Sequence, residues 1–207
     1  MQTILDAVAG SRRLTADDMT ITLDLLESCL HEVPVYRWFL GEKARADAYR
    51  WLGQVMFETN IHGLHGVFES DELIALVAVT EPGTPPATVS DELETLNRHY
   101  MTSIPGFVDR FREFGRACVD AAVPGAIDIP INVVHHDHRR RGLSVQLIEP
   151  VLDYARRTGA SVTGSTTHRH MSDFYSRRGG SVYAEYRLTG GPTLWMHRWD
   201  PPVTAES

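Results

Sequence analysis

Residues 135 to 144 read "HHDHRRRGLS", three arginines running into a glycine, in a chain of 207 residues whose net charge is -7. The stretch sits between "AIDIPINVV" at 126 to 134, which reads as a strand, and a segment in which Leu143, Leu147, Ile148, Val151, Leu152 and Ala155 recur at helical spacing. Strand, basic glycine loop and amphipathic helix are the layout for holding a phosphate at a helix N-terminus. The free amides of Arg141, Gly142, Leu143 and Ser144 point outward together, Gly142 lets an anion approach the main chain, and the arginines add charge. Neither G-x-x-x-x-G-K-[ST] nor G-x-G-x-x-G occurs, so a P-loop and a dinucleotide fingerprint are both excluded.

The histidines beside the arginines raise a second chemistry. His135, His136 and His138 could converge with His168 and His170 on a metal, but no H-E-x-x-H or Cys/His zinc spacing is present and the adjacent arginines repel a cation. No metal is expected; the histidines read as the rim of an anion site. No serine lies in G-x-S-x-G, which argues against a nucleophilic hydrolase.

The elements that must position this loop can be read along the chain. "RRLT" at 12 to 15 forms a short strand, and Thr15 caps a helix with Asp17 and Asp18 in its first turn, which Pro34 ends. A second helix is expected from about Ala44 to His62, and a strand pair follows with its turn near Ser70-Asp71. "EPGTPP" stops the sheet, and two helices, one capped by Ser90 and one opened by Pro105, form an insert over about 88 to 122. Pro130 marks a bulge or an edge in the 126–134 strand, and Pro150 should kink the helix after the arginine loop. A strand at 160 to 167, a short helix through "MSDFYSRRGG" and two closing strands complete one domain spanning 1–207, with a mobile tail from about 200 to 207.

The negative net charge excludes proteins that coat nucleic acid or anionic membrane. The longest apolar run, "LIALVAV" at 73 to 79, is far too short to cross a membrane, and no signal core follows Arg12-Arg13. Cys29 and Cys118 each lie on the apolar stripe of a helix and read as buried reduced thiols, which suits the cytoplasm.

Arg139 to Ser144 matches the R-x-x-G-x-[GA] pattern by which GNAT-superfamily acetyltransferases hold the pyrophosphate of acetyl-coenzyme A, with Ser144 in place of the small last residue. The order of elements from about Arg12 to Trp199 is similar to the antibiotic-modifying branch typified by puromycin N-acetyltransferase. The resemblance implies an α/β (α+β) GNAT fold: a mixed, mostly antiparallel, splayed sheet flanked by helices. It departs at Met171, where many members have Asn, and at Gly180, where an aromatic usually ends the F-Y motif.

The resemblance also implies roles. The backbone of Val133 and Val134 would bind the pantetheine arm, and Arg139, Arg140, Arg141, Gly142, Leu143 and Ser144 the pyrophosphate. Tyr175 would protonate the departing thiolate. An amine acceptor must lose a proton, and Asp128 is the first candidate base, a half-buried aspartate whose pKa burial would raise; a salt-bridged strand-edge aspartate is the competing reading. His135 and Glu81 are weaker candidates. Asn132, on the same alternating face as Asp128, could orient the substrate with Glu81. Asp91, Glu92, Glu94, Asp109 and Glu113 of the insert could line a pocket for a cationic amine, or form a solvated helix face. The expectation is transfer of acetyl to a small-molecule amine by a monomer or homodimer, without nucleic acid or membrane partners. The alternatives are a protein or peptide N-acetyltransferase and a non-catalytic acetyl-CoA-binding regulatory module.

Overall fold

The computed structural model describes residues 2–201, so most of the expected tail lies outside the described residues. In chain order the elements are α1 (Gln2–Leu5), β1 (Ser11–Arg13), α2 (Met19–Leu30), α3 (Pro34–Leu40), α4 (Ala46–Asn60), β2 (Leu64–Glu69) and β3 (Glu72–Thr80). Then come α5 (Asp91–Ser103), α6 (Phe107–Asp120), β4 (Ile127–Val134), α7 (Leu143–Thr158), β5 (Val162–Thr166), α8 (Arg169–Arg177), β6 (Ser181–Arg187) and β7 (Thr193–Trp199). α2 ends at Leu30, before Pro34 is reached, and Pro34 instead opens α3 from its first turn, where its missing N–H costs nothing. A short turn and a second helix stand where the sequence suggested only a break. α7 continues through Pro150.

One sheet of order β1-β2-β3-β4-β5-β7-β6 carries the chain, and its neighbours are antiparallel except β4 and β5. Two apolar layers cover it. On one face α2 to α6 pack through Leu26, Trp51, Phe57, Leu93 and Phe107 against Leu76, Ala78 and Ile131. On the other, α7 packs through Leu147, Val151 and Ala155 against Val77, Ile129 and Val162, with Tyr175 of α8 in the same layer. α5 is anchored by a buried carboxylate: Glu58 accepts from the Ser90 N–H (2.6 Å) and hydroxyl (2.9 Å), while Ser90 Oγ caps the helix through Leu93 N–H.

Candidate active site

β4 and β5 pair only where Ile127, Asp128 and Ile129 meet Val162, Thr163 and Gly164. Beyond that they part. From Pro130 onward β4 has no partner on β5, and a wedge opens between the two strands. The backbone on the β4 side of this wedge follows from register. His135 N–H donates to Ile74 O, and hydrogen-bonded pairs alternate along antiparallel strands. Val133, opposite Leu76, therefore spends its backbone on β3, whereas Asn132 and Val134, opposite Val77 and Ala75, turn N–H and C=O toward the wedge. Of the two valines singled out in the sequence, Val134 turns its backbone toward the wedge, as Asn132 does, and Val133 toward β3.

The register shift between Ala78 and Thr80 gives β4 one residue more than β3, a bulge at Ile129–Pro130. Such a bulge exchanges faces. Asp128 lies opposite Thr80 on the α2–α6 face, and Asn132 opposite Val77 on the α7–α8 face. The expectation that the two share a face is thus corrected. Asp128 accepts from Thr163 Oγ1 (2.8 Å), and burial pushes its pKa above the usual carboxylate value while Thr163 and the Ile129 backbone pull it back. Cys118 and Tyr183 stand close enough for its charge to raise both their pKa values. Glu81 follows β3 at this same end of the sheet, roughly 20 Å along the strand from Val134.

Tyr175 is 7% exposed and packs edge-on against His197 and Trp199. Burial pushes its phenol up to about 12, and the nearby Asn132 carboxamide opposes that rise. Neither Oδ1 nor Nδ2 of Asn132 makes a hydrogen bond of good geometry, although both atoms are buried. Tyr36 of α3 approaches from across the sheet: its own phenol is pushed up to about 12 by burial and then by Tyr175. The α2–α3 connection bridges the mouth of the wedge, with Cys29 Sγ donating to Val134 O (3.8 Å) and Val35 N–H to Thr167 Oγ1 (3.2 Å). Tyr36 was missed in the sequence because α3 was. The signal was present in Pro34 followed by "VYRWFL".

At the wedge's open end Gly142 is the N-cap of α7 at φ +82°, a left-handed backbone that glycine adopts freely. Leu143, Ser144 and the residue after them begin the helix, where amides have no partner within it. Leu143's side chain is buried in the α7 layer. Arg140 is exposed at φ +63°. The other two arginines are held by carboxylates: Arg139 by Glu32 and by Val134 O (3.3 Å), Arg141 by both oxygens of Glu69 at 2.8 Å. Arg141 also donates to His138 Nδ1 (2.7 Å) if that nitrogen is the unprotonated one. His135, His138 and Glu72 bring potential ligand atoms within 4.8 Å of one another, while the described metal-like groups do not include His168 or His170. Asp91, Glu92, Glu94 and Asp109 face solvent, and Glu113 caps Thr189 at the β6–β7 turn (2.7 and 3.0 Å). The insert's aromatics are engaged in packing: Tyr100 stacks on Trp51 of α4, and Phe107 on Phe111. Gly180 is required by Trp199, whose ring lies 2.7 Å from where a Cβ would stand. Two surface hollows, one by Trp199 and Arg178 and one by Ser28 and Tyr49, contain neither Tyr175, Asn132 nor Val134.

No family model and no curated protein sequence matches the chain. Solved structures do. A histone acetyltransferase and related acetyltransferase from Corynebacterium glutamicum superposes with a TM-score of 0.66 at 15% identity, over 95% of this chain and 98% of that one. Arylalkylamine N-acetyltransferase 2 from Aedes aegypti gives 0.65 at 14% identity over 92% and 97%. A polyamine N-acetyltransferase from Drosophila melanogaster, which forms N-acetylagmatine, gives 0.58 at 16% identity over 92% and 98%. The chain therefore has the GNAT acetyltransferase fold: a seven-stranded, mostly antiparallel, open sheet flanked by helices.

Proposed function

We propose that this chain transfers acetyl from acetyl-coenzyme A, its second substrate, to the amine of a small molecule, by direct attack and without a covalent enzyme intermediate. The observation that carries the reading is the wedge between β4 and β5. It presents strand backbone from Asn132 and Val134 and a buried tyrosine beside it, and it opens at a glycine-capped helix N-terminus. Strand backbone turned to a sheet opening suits an amide-rich arm, which would share Val134 O with Cys29 and Arg139, and the α7 amides with Arg139, Arg140 and Arg141 suit its pyrophosphate.

Catalysis in this site is positioning and charge management. Tyr175 keeps its proton at neutral pH and supplies it to the leaving thiolate. Asp128, on the opposite face near the apex of the wedge, takes the proton released by the amine, directly or through water, and its raised pKa suits a base. Acid and base then flank the reacting centre from the two sides of the sheet. Small amines are the acceptors of the mosquito and fly relatives by fold, and likeness to the puromycin branch extends that to an antibiotic or a biosynthetic intermediate.

The test is a free-thiol assay for released coenzyme A across arylalkylamines, polyamines and aminated antibiotics. Amine-dependent release establishes the transferase. Coenzyme binding without release for any amine or for an alanine-ended peptide returns the chain to the non-catalytic reading, and absence of binding removes both.

A further inference from the structure

Asn132 turns its backbone toward the wedge, and its side chain makes no hydrogen bond of good geometry. Its Oδ1 and Nδ2 are buried, with the Tyr175 phenol close enough to feel the amide, and buried polar groups in native chains are nearly always satisfied. Thr22, His197 and two other described residues also carry such atoms, but Asn132 is the one of them on β4, where the strands part, and an amide left open there suits an occupant. Register places the side chain on the α7–α8 face beside Tyr175, and the bulge at Ile129–Pro130 is what turns it there, away from the face that Asp128 occupies. A carboxamide offers an N–H donor and no charge at neutral pH, so it can bind a neutral carbonyl and bind it better once that oxygen turns negative.

We propose that the Asn132 carboxamide is a catalytic oxyanion donor: its Nδ2–H bonds the thioester carbonyl oxygen of the acyl donor. This rests on the acetyl-coenzyme A reading above. The nucleophile's lone pair forms the bond to the carbonyl carbon, and the C=O π pair moves to the oxygen that Asn132 holds. When that pair returns, the C–S bond breaks, its electrons go to sulfur, and sulfur takes the Tyr175 phenol proton to leave as thiol. The nucleophile's surplus proton passes to base or water, and the tyrosinate regains its proton from solvent.

A structural asparagine and an oxyanion donor predict opposite stability changes. An amide kept unsatisfied for function costs stability, so Asn132→Val raises or holds Tm, whereas an amide bonded within the protein lowers Tm when removed. The reaction to follow is thiol release from acetyl-coenzyme A with water as acceptor, which passes through the same oxyanion, alongside calorimetric binding of coenzyme A. The expected result for Asn132→Val is about a 100-fold loss of rate, coenzyme affinity within about threefold, and Tm unchanged or higher. Asn132→Asp is the second variant: its rate relative to the native chain should rise as pH falls, because the protonated carboxyl regains a donor.

A native rate in Asn132→Val, or a lowered Tm together with a flat Asn132→Asp ratio, overturns the assignment while leaving the coenzyme reading intact. A native chain that neither binds nor cleaves acetyl-coenzyme A overturns the reading and this role together.

Discussion

Asp128 and Asn132 stand four residues apart on β4 yet face opposite sides of the sheet, because the bulge between them inserts one residue. In the proposed mechanism this separation would let a base and an oxyanion donor serve one reacting centre from opposite faces. The folded pKa of Asp128 is raised by burial, against its hydrogen bonds from Thr163 and the Ile129 backbone. As a base it acts ionised, so the rate should climb with pH through that raised value. Asp128→Asn should lose the limb and roughly 100-fold or more of the rate, read from kcat/KM against pH.

The stability sign for the same residue runs the other way. A carboxyl with a raised folded pKa binds its proton more tightly folded than unfolded, so stability falls as pH rises from the ordinary value through the folded one. Asp128→Asn, which can still accept from Thr163, should therefore melt no lower than the native chain at pH 7. The advantage should close as pH drops below the folded pKa, a trend that melting curves from pH 3 to 8 would show.

Tyr175 holds its proton until pH nears about 12. Its titration should put no alkaline limb on the rate profile in the working range. Tyr175→Phe should cut kcat by about 100-fold with coenzyme affinity within a few-fold, a split that steady-state kinetics and calorimetry together resolve.

Much of this site was legible in residues close in sequence. The strand, glycine loop and helix around Arg139 to Ser144 are contiguous, and Pro130 flagged an interruption in β4. What counting by twos could not see was on which side of Pro130 each side chain would land, since one inserted residue exchanges the faces of everything after it. Long-range partners were also hidden. Glu32 and Glu69 lie 107 and 72 residues from the arginines they hold, and nothing in either segment marks it as a neighbour of the loop. Gly180 read as a departure from a motif, but the indole that fills its space comes from Trp199, a strand and a turn later.

In the proposed coenzyme site those carboxylates would compete with a phosphate for the same guanidinium groups. Glu69→Gln leaves Arg141 without its bidentate anion, so coenzyme A should bind about two- to fivefold more tightly at low salt. The gain should shrink above about 0.5 M salt as screening takes over. Glu69 and Arg141 are both solvent-facing, so Tm should barely move. Weaker binding in Glu69→Gln would mean that Glu69 arranges Arg141 for the ligand and does not occupy it.

Gly142 has open space around the position a Cβ would take, so conformation alone decides the cost of adding one. At φ +82° an alanine is strained by about 1–2 kcal/mol, which for a chain of this length is a Tm drop of roughly 2–8 °C. Coenzyme affinity should fall further than stability does, because relaxing the strain reaims the first amides of α7. A variant that loses Tm and keeps its affinity would place the phosphate site elsewhere.

The Asp18 carboxylate gives the clearest acid-stability prediction away from the site. It takes a two-bond grip from Arg12 (2.8 and 2.6 Å) and accepts from Thr15 N–H (2.9 Å), closing the turn that leads into α2. Arg12 foremost, with Thr15, draws its pKa down to about 2 against the cost of burial. A depressed carboxyl stabilises fully above its unfolded value near 3.8 and loses that contribution as pH falls toward 2. With Arg12 half exposed, the contribution is about 1–2 kcal/mol. Asp18→Asn should lower Tm by roughly 2–8 °C at pH 7, and the gap should shrink as pH falls from about 4 and close only below the folded value of about 2. A gap that stays at its full size down to pH 2 would assign the loss to the capping hydrogen bonds and not to the charge.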